Sequence, residues 1–454
     1  MRSFQTKTVA LGAVLLGWVV LSGCGQPEDG VMPDTRGDDV GRPMASQEAV
    51  GPPNVRAWQV LDPGLIYRGN TRSSRIARDS AGNVLTLASY WRNGSERTLE
   101  LLKLSPSGQE LWRKVFAWPV AQLQPAESDF YSFPDLVVDA ADNILMAGHA
   151  PETMDLGDGA LGKRSFVAKF SPSGTLLWRH ALCDELGIRA VAVDSQGAVW
   201  LGGQVGLNCN VGGGVRWLLE NPGWQGYIAK FDANGDYVFD RAIGGKGDRV
   251  EVMDLKTSSD DGIVVVGWRY VFNRGPDRVA FVSKFARNGP HRWFREYPSA
   301  TGGFYAVAAL GDDIVAVGSF SGTMRFKGQD YAGGIWGRGN IAMYSLTGEE
   351  RWMSLVGSWL KDVSTGPLGV AVLGACDATC PPPEVQFGGT DGVLGLYSPT
   401  GSRLWRAGLG PFHGAAWELT YHPTGEVSLT GNVDIDTSTT PFSAKQSIQR
   451  LRPQ

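Results

Sequence analysis

The chain is poor in the residues that usually announce chemistry. Its 454 residues include five cysteines and five histidines. His149, His180, His291, His413 and His422 are scattered without metal-ligand spacing, and no Cys-x-x-Cys pair, His-x-x-x-His, Gly-x-Ser-x-Gly elbow or phosphate-cradling loop occurs. A ready zinc set, activated serine or nucleotide site is therefore missing. Charge of one sign is missing too: 42 Lys and Arg stand against 46 Asp and Glu, for a formal net charge of −4. Such mild acidity argues against a phosphate-backbone partner and hence against nucleic acid. Long apolar runs are confined to Val9–Leu21, which is too short to span a bilayer as a stable helix.

That one run sits where an export signal would. Arg2 and Lys7 precede it with no acid, and it ends in Leu21-Ser22-Gly23-Cys24, which matches the lipobox of bacterial lipoproteins. Residues 1–23 read as a lipoprotein signal peptide and Cys24 as the lipidated first residue of the mature chain. Diacyl and N-acyl chains on Cys24 exceed the two signals needed for stable anchoring, so the mature protein is expected on a membrane through its lipid, not across it. Removing Arg2 and Lys7 takes the formal charge from −4 to about −6. Residues 24–54 carry five prolines and scattered acids with no apolar periodicity, so they cannot offset their ordering entropy and read as a tether. Gly25 after Cys24 supplies no Asp-type retention signal, which points to the outer membrane of the cell envelope.

From residue 55 onward the sequence repeats itself. FVAKFSPSGTLLWR at Phe166 returns as ELLKLSPSGQELWRK at Glu100, YIAKFDANGDYVFDR at Tyr227, FVSKFARNGPHRWFR at Phe281, NIAMYSLTGEERWMS at Asn340 and VLGLYSPTGSRLWRA at Val393. Each reads as a hairpin in which a Gly-x-x-x-Trp marks the outer strand, with Phe239 as the aromatic variant. Upstream of each lies a second hairpin: a polar Asp/Asn/Gly turn, then a Val or Ile followed four residues later by Gly, at Ile144, Val199, Ile263, Ile314, Val370 and Val427, with Val84–Ala88 as a degenerate first copy. Seven copies at intervals of 51 to 64 residues fall in the range of propeller and solenoid repeats. The predicted fold is all-β: one seven-bladed propeller of four-stranded antiparallel blades, strands a to d, over residues 55–454. The seventh copy ends after its strand c at Leu451, while Asn54–Val60 carries Trp58 and the alternation of a strand d, so the N-terminal segment is expected to complete the last blade.

The runs FVAKFSPSGTLLWRHAL, IRAVAVDSQGAVWLGG and VAVGSFSGTMRFKGQDYAGG resemble the SBBP (seven-bladed β-propeller) repeat of exported bacterial proteins, and the Gly-x-x-x-Trp hairpins are also similar to quinoprotein-type propeller repeats, including the outer-membrane assembly lipoprotein that uses that fold as a scaffold. The resemblance implies a fold and a compartment, and no single activity.

Short uniform a–b and c–d turns share one face of such a blade, and the b–c and d–a connections share the other. The second set is long and irregular, which is where recognition is expected on a rigid scaffold. Its aromatics Tyr90, Trp91, Trp217, Trp224, Tyr270, Trp336 and Trp359 are the binding-face candidates, along with Phe272 and Tyr331: hot-spot anchors, or plugs of the central channel. The four cysteines other than Cys24 lie there too. Cys183 leaves strand d of the second repeat and Cys209 sits in the adjoining loop of the third, so these two are paired, and Cys376 is paired with Cys380 inside one proline-rich loop; disulfides suit an exported chain.

Other chemistry is set against plainer readings. The Trp series reads as inter-blade packing. Lys103, Lys169, Lys230 and Lys284 read as alkyl stems over Trp with solvated heads. The pairs Asp260-Asp261 and Asp312-Asp313 read as turn residues. MDLGDGAL at Met154 and NVDIDTSTT at Asn432 could offer oxygen ligands to Ca²⁺ but lack the alternation of a calcium loop, and no other cofactor is implied. The expectation is a non-enzymatic, lipid-anchored module that binds an envelope protein or a glycan through its long-loop face. The alternatives are a propeller-type enzyme (lyase, glycosidase or quinone-dependent dehydrogenase) with a site at the channel mouth, and a passive surface component.

Overall fold

The computed structural model describes residues 53–453, apart from 63–73, 93–95, 120–134, 151–152, 163, 184–185, 207–208, 217–224, 245–248, 271–277, 299, 358, 376–384, 387–391, 410–415 and 437–442. Strands alternate with tight turns, and among the described residues there is no helix. Seven antiparallel sheets form in chain order. Their strands a are Ser74–Arg78, Asp135–Val138, Leu186–Val193, Arg249–Thr257, Ala300–Leu310, Trp359–Gly366 and Ala416–Tyr421. Each strand a packs against the next, and the seventh packs against the first, so the sheets close around one axis.

The seventh sheet takes its outer strand from the other end of the chain, as the repeat count requires. Pro53–Asp62 runs antiparallel to Ser443–Pro453, with Trp58 opposite Arg450 and Val60 opposite Ile448. Because Pro53 lies opposite Pro453, the closing strand starts at the face of the short turns.

The Gly-x-x-x-Trp signature proves to be a joint between blades. The c–d turn glycine adopts positive φ, +82° at Gly174 and +84° at Gly348, where a side chain would be strained. It also lies flush against the aromatic ring of the preceding blade: a Cβ on Gly348 would stand 2.6 Å from the Trp293 ring. The indole N–H of that Trp donates to the carbonyl two residues before the glycine. Trp112 bonds Pro172 O at 3.2 Å, Trp178 bonds Ala233 O at 3.3 Å, Trp293 bonds Leu346 O at 3.0 Å and Trp352 bonds Pro399 O at 2.9 Å. Phe239 has no such N–H, and there Lys230 Nζ serves Arg287 O at 3.1 Å.

The strand-c lysines depart from expectation. Their ammonium groups are buried and ion-paired with the a–b turn of their own blade: Lys103 with Asp79 at 2.9 Å, Lys169 with Asp139 at 2.9 Å, Lys230 with Asp194 at 2.8 Å and Lys284 with Asp260 at 2.6 Å. A buried ammonium without a carboxylate would cost several kcal/mol, which is why both members occur together. Blades 5 and 6 replace both at once, with Met343 and Leu310, and with Leu396 and Gly366. In blade 7, Arg450 pairs with Glu426 and reaches forward to Pro106 O of blade 1 at 3.1 Å, tying the seam.

The long b–c connections also depart from expectation. Ser319–Gly339 is a β-ladder: strands Asp313–Phe326 and Gln329–Ser345 meet at Lys327-Gly328, whose φ values of +49° and +78° suit a two-residue hairpin turn. The excursion folds back along its own blade, burying Met324 and Phe326 and placing Lys327 Nζ 3.2 Å from Arg351 O on strand d. In blade 2, Met154, Leu156 and Leu161 are buried while Arg179 of strand d holds Asp158 and Gly159 O. In blade 3, Gly212 and Gly213 lie against Tyr237 of strand d, and in blade 6 Val385-Gln386 pairs in parallel with strand d at Ala407 and Gly408. Strand d is the unpaired edge of each blade, and the excursions shield it.

Trp405 tests the joint. Blade 7 has no c–d turn, because its strands c and d come from opposite chain ends, and the buried Trp405 N–H has no acceptor among the described residues. Both Trp178→Phe and Trp405→Phe remove a ring, but only the first breaks a hydrogen bond. Chemical denaturation is expected to show Trp178→Phe destabilising by about 1 kcal/mol more than Trp405→Phe; equal losses would refute the joint.

Candidate functional site

Two places gather side chains whose chemistry is not exhausted by packing: the wall of the central channel and the long-loop end of blade 4.

The channel wall is built by a bulge. In blades 3 to 7, strand a skips one residue against strand b, at Arg189, Met253, Tyr305, Lys361 and Trp417. The strand-b glycine of the repeat is the other half of the device: a Cβ on Gly267 would sit 1.9 Å from Glu251 O, and on Gly318 2.0 Å from Gly303 O. Blade 1, whose strand b has Ala88 there, pairs without a bulge. The innermost strands leave amides with no partner strand, and acids from the preceding blade accept them. Asp135 Oδ2 takes Val191 N at 2.7 Å, Asp254 Oδ2 takes Val307 N at 2.8 Å, Asp362 Oδ2 takes Leu419 N at 2.7 Å and Glu418 Oε2 takes Ile76 N at 2.7 Å. Arg75 stands between Asp135, at 3.4 Å, and Glu418, at 3.8 Å.

Asp135 is buried and Asp254, Asp362 and Glu418 are partly buried on the innermost strands. Burial, and then the charge of Asp135, pushes Asp254 up to about 7. Burial raises Asp362 to about 6, and raises Glu418 well above the usual range against the pull of Arg75. On the short-turn side His422 is held at about 3 by burial and by the neighbouring Arg450 and Arg78.

At the long-loop end of blade 4 three residues stand in one row across the sheet. Arg249 is paired with Tyr270, and Tyr270 with Arg278, on strands a, b and c. The Arg249 guanidinium lies 4.5 Å from the Tyr270 ring centre, and that of Arg278 lies 5.7 Å from it and 5.3 Å from the ring of Trp268. Tyr270 Oη donates to Glu251 at 3.1 Å, and Arg249 reaches the same carboxylate at 3.4 Å. Trp268 packs edge-on against Tyr305, the bulged residue of blade 5, and is 6% exposed with no acceptor for its N–H among the described residues.

The sequence matches no protein-family model and no curated protein. Solved structures are similar in outline only. The WD40 domain of Pan2 from Neurospora crassa aligns over 87% of this chain and 94% of its own at 13% identity and a TM-score of 0.47. A protein of unknown function from Dyadobacter fermentans aligns over 88% and 99% at 9% identity and a TM-score of 0.41. A variant of the apocarotenoid oxygenase of Synechocystis aligns over 64% and 63% at 12% identity and a TM-score of 0.36. The propeller is established by the seven sheets of this chain itself.

Of the binding-face candidates, Tyr270 joins the arginine row and Trp359, half exposed, opens strand a of blade 6 at the same end. Tyr90 and Trp91 lie on strand b of blade 1, and Trp336 and Tyr331 on the long hairpin of blade 5. Trp217, Trp224 and Phe272 lie outside the described residues, as do Cys24, Cys376 and Cys380. Cys183 and Cys209 are disulfide-bonded, with a Cα–Cα distance of 5.5 Å, joining blades 2 and 3. Asp155, the first acid of MDLGDGAL, accepts the amides of Gly157 and Gly159. NVDIDTSTT is strand only as far as Asp436. Asp260 is spent on Lys284, Asp261 on Ser195 N and Oγ, Asp312 on Ser259 Oγ and Asp313 on Arg351. The channel acids were not singled out from sequence; their one signal is a shared place four residues before the first residue of the a–b turn.

Asp254 sets a pH dependence. A carboxyl raised to about 7 in the fold, against about 3.9 unfolded, binds its proton more tightly when folded. The stability it brings is full below about pH 4 and is lost as pH rises through 7. His422 works in the opposite direction but is common to both proteins when wild type is compared with Asp254→Asn, whose side chain still accepts Val307 N–H. Thermal melts are expected to show the variant gaining on wild type by a few degrees between pH 4 and pH 7.5. A constant difference would show that burial and the charge of Asp135 do not raise this carboxyl.

Proposed function

We propose that this protein is a lipid-anchored cell-envelope propeller that works by binding and not by catalysis, presenting its long-loop face to another envelope molecule. The propeller is compatible with a binding or scaffold role. The observation that carries the reading is the division of labour among its ionisable groups. The four channel carboxyls are each engaged with an amide of the next blade, while Arg249, Arg278 and the exposed Trp359 stand at the long-loop end. A catalytic channel would instead need ionisable groups converging on a shared reacting atom. Anchoring rests on the sequence around Cys24. A closing strand that begins at the short-turn face favours a tether arriving there, which would turn the long-loop face away from the membrane.

Cys24→Ala is expected to move the protein from the membrane fraction to the soluble fraction. A photo-crosslinking side chain at position 359 should capture a defined protein or glycan in cells, whereas one at Leu111, half exposed on the outer wall of blade 1, should not. Capture from the wall alone would overturn the choice of face.

A further inference from the structure

We infer that the row Arg249–Tyr270–Arg278, with Trp268 beneath it, is a carboxylate clamp for an acidic polypeptide segment of the partner; this deepens the binding reading above and rests on it. Three features lead there. First, two guanidiniums flank one tyrosine ring across three adjacent strands, so their positions are set by the sheet register and not by loop conformation. Strand-borne groups are held more tightly than loop-borne ones. Second, among the described residues the balance of charge is positive. Glu251 serves Arg249 and Tyr270. Arg269, the neighbour on the opposite sheet face, is taken by Glu296 at 2.7 and 3.1 Å. Arg278 meets no carboxylate among the described residues and is exposed apart from its contacts with the two rings. A guanidinium keeps its planar fork free for a carboxylate while its face lies on an aromatic ring. Third, Trp268 is more than nine-tenths buried and its ring lies 5.3 Å from the Arg278 guanidinium, which gives that side chain a fixed platform.

The occupant follows from what the rings cannot do. A neutral pyranose needs an open aromatic face to stack upon, and here the faces of Tyr270 and Trp268 are taken by guanidiniums. An acidic polypeptide supplies what the row leaves open to bind, carboxylates on short flexible side chains that can meet the planar forks of both arginines without stacking on a ring.

The full-length protein in detergent would be titrated with poly-L-glutamate, polygalacturonate and neutral dextran, reading heat of binding and tryptophan fluorescence. Poly-L-glutamate is expected to bind, weakening with salt, and to lose about tenfold or more in affinity in Arg278→Ala and in Arg249→Ala. Arg278→Lys should restore little, because the fork is lost, and Trp268→Phe should weaken binding without abolishing it. Arg292→Ala, on the outer strand of the same blade near the short turns, is the control and should bind as wild type. Circular dichroism keeps the variants interpretable, since Arg278 has no ion pair whose loss would unfold the blade. Binding that is indifferent to Arg249 and Arg278 would overturn the clamp. Binding of polygalacturonate in preference to poly-L-glutamate would overturn the polypeptide and put an acidic glycan in its place. If neither polymer binds while position 359 still captures a partner in cells, the clamp falls and the binding module stands.

Discussion

Everything in this molecule depends on how one sheet holds the next. Inside a blade the backbone is satisfied by its own ladder, so the sequence must specify the joints. The joint is a carbonyl: the second residue of each c–d turn presents its oxygen to the preceding blade, which answers with an indole N–H, an ammonium or a guanidinium. The glycine two residues later lets the turn lie against the aromatic ring. One contact thus fixes spacing, angle and hydrogen bonding together, and it explains why Gly and Trp recur at a fixed separation. The seam obeys the same rule by other means. The blade completed from both chain ends has no c–d turn to offer Trp405, but its strand c supplies Arg450 to the next turn, so the ring is tied even where the chain is not continuous.

The inner edge poses the reverse problem. Strands a have donors with nothing beside them, and the chain meets this with carboxylates aimed by bulges. Burial raises the proton affinities of Asp254, Asp362 and Glu418, and like charges add to the rise at Asp254 and Glu418. Arg75, set between Asp135 and Glu418, offsets part of it. One oxygen of each of these four carboxyls goes to an amide of the next blade. Each carboxyl oxygen bound to a neighbour's amide is a structural element whose charge is tolerated because the amide would otherwise be orphaned.

What could be read from the sequence divides along the same line. The blade count, the outer hairpins and the closing strand were legible because their signals are local: a turn, an alternation, a Gly and a Trp four apart. The Cys183–Cys209 bond was legible once the blades were in order. The strand-b glycines were visible but unexplained, since the carbonyl that excludes a side chain belongs to another strand. Lys103 was misread as solvated because its partner Asp79 lies 24 residues away and only folding brings it to 2.9 Å. Asp254 and Glu418 were overlooked for a related reason: a single acid in a strand carries no pattern until repeats are aligned on their turns. The excursion Ser319–Gly339 looked like a loop because Gly and polar residues interrupt its alternation, yet Met324 and Phe326 provide the apolar contacts that fold it back.

Those folded excursions also bear on where a partner can engage. An uncovered strand d would be a ready template for another β-chain, and blades 2, 3, 5 and 6 cover theirs with their own sequence. Wall area that could have served recognition is thereby used for protection. The short-turn face is occupied by the joints: its Asp, Ser and Lys side chains reach between blades, and changing them would loosen the ring. At the long-loop end the row on blade 4 and Trp359 on blade 6 sit on rigid strands and are not used by the joints. A scaffold that spends its charges on holding itself together is free to vary where the joints do not reach.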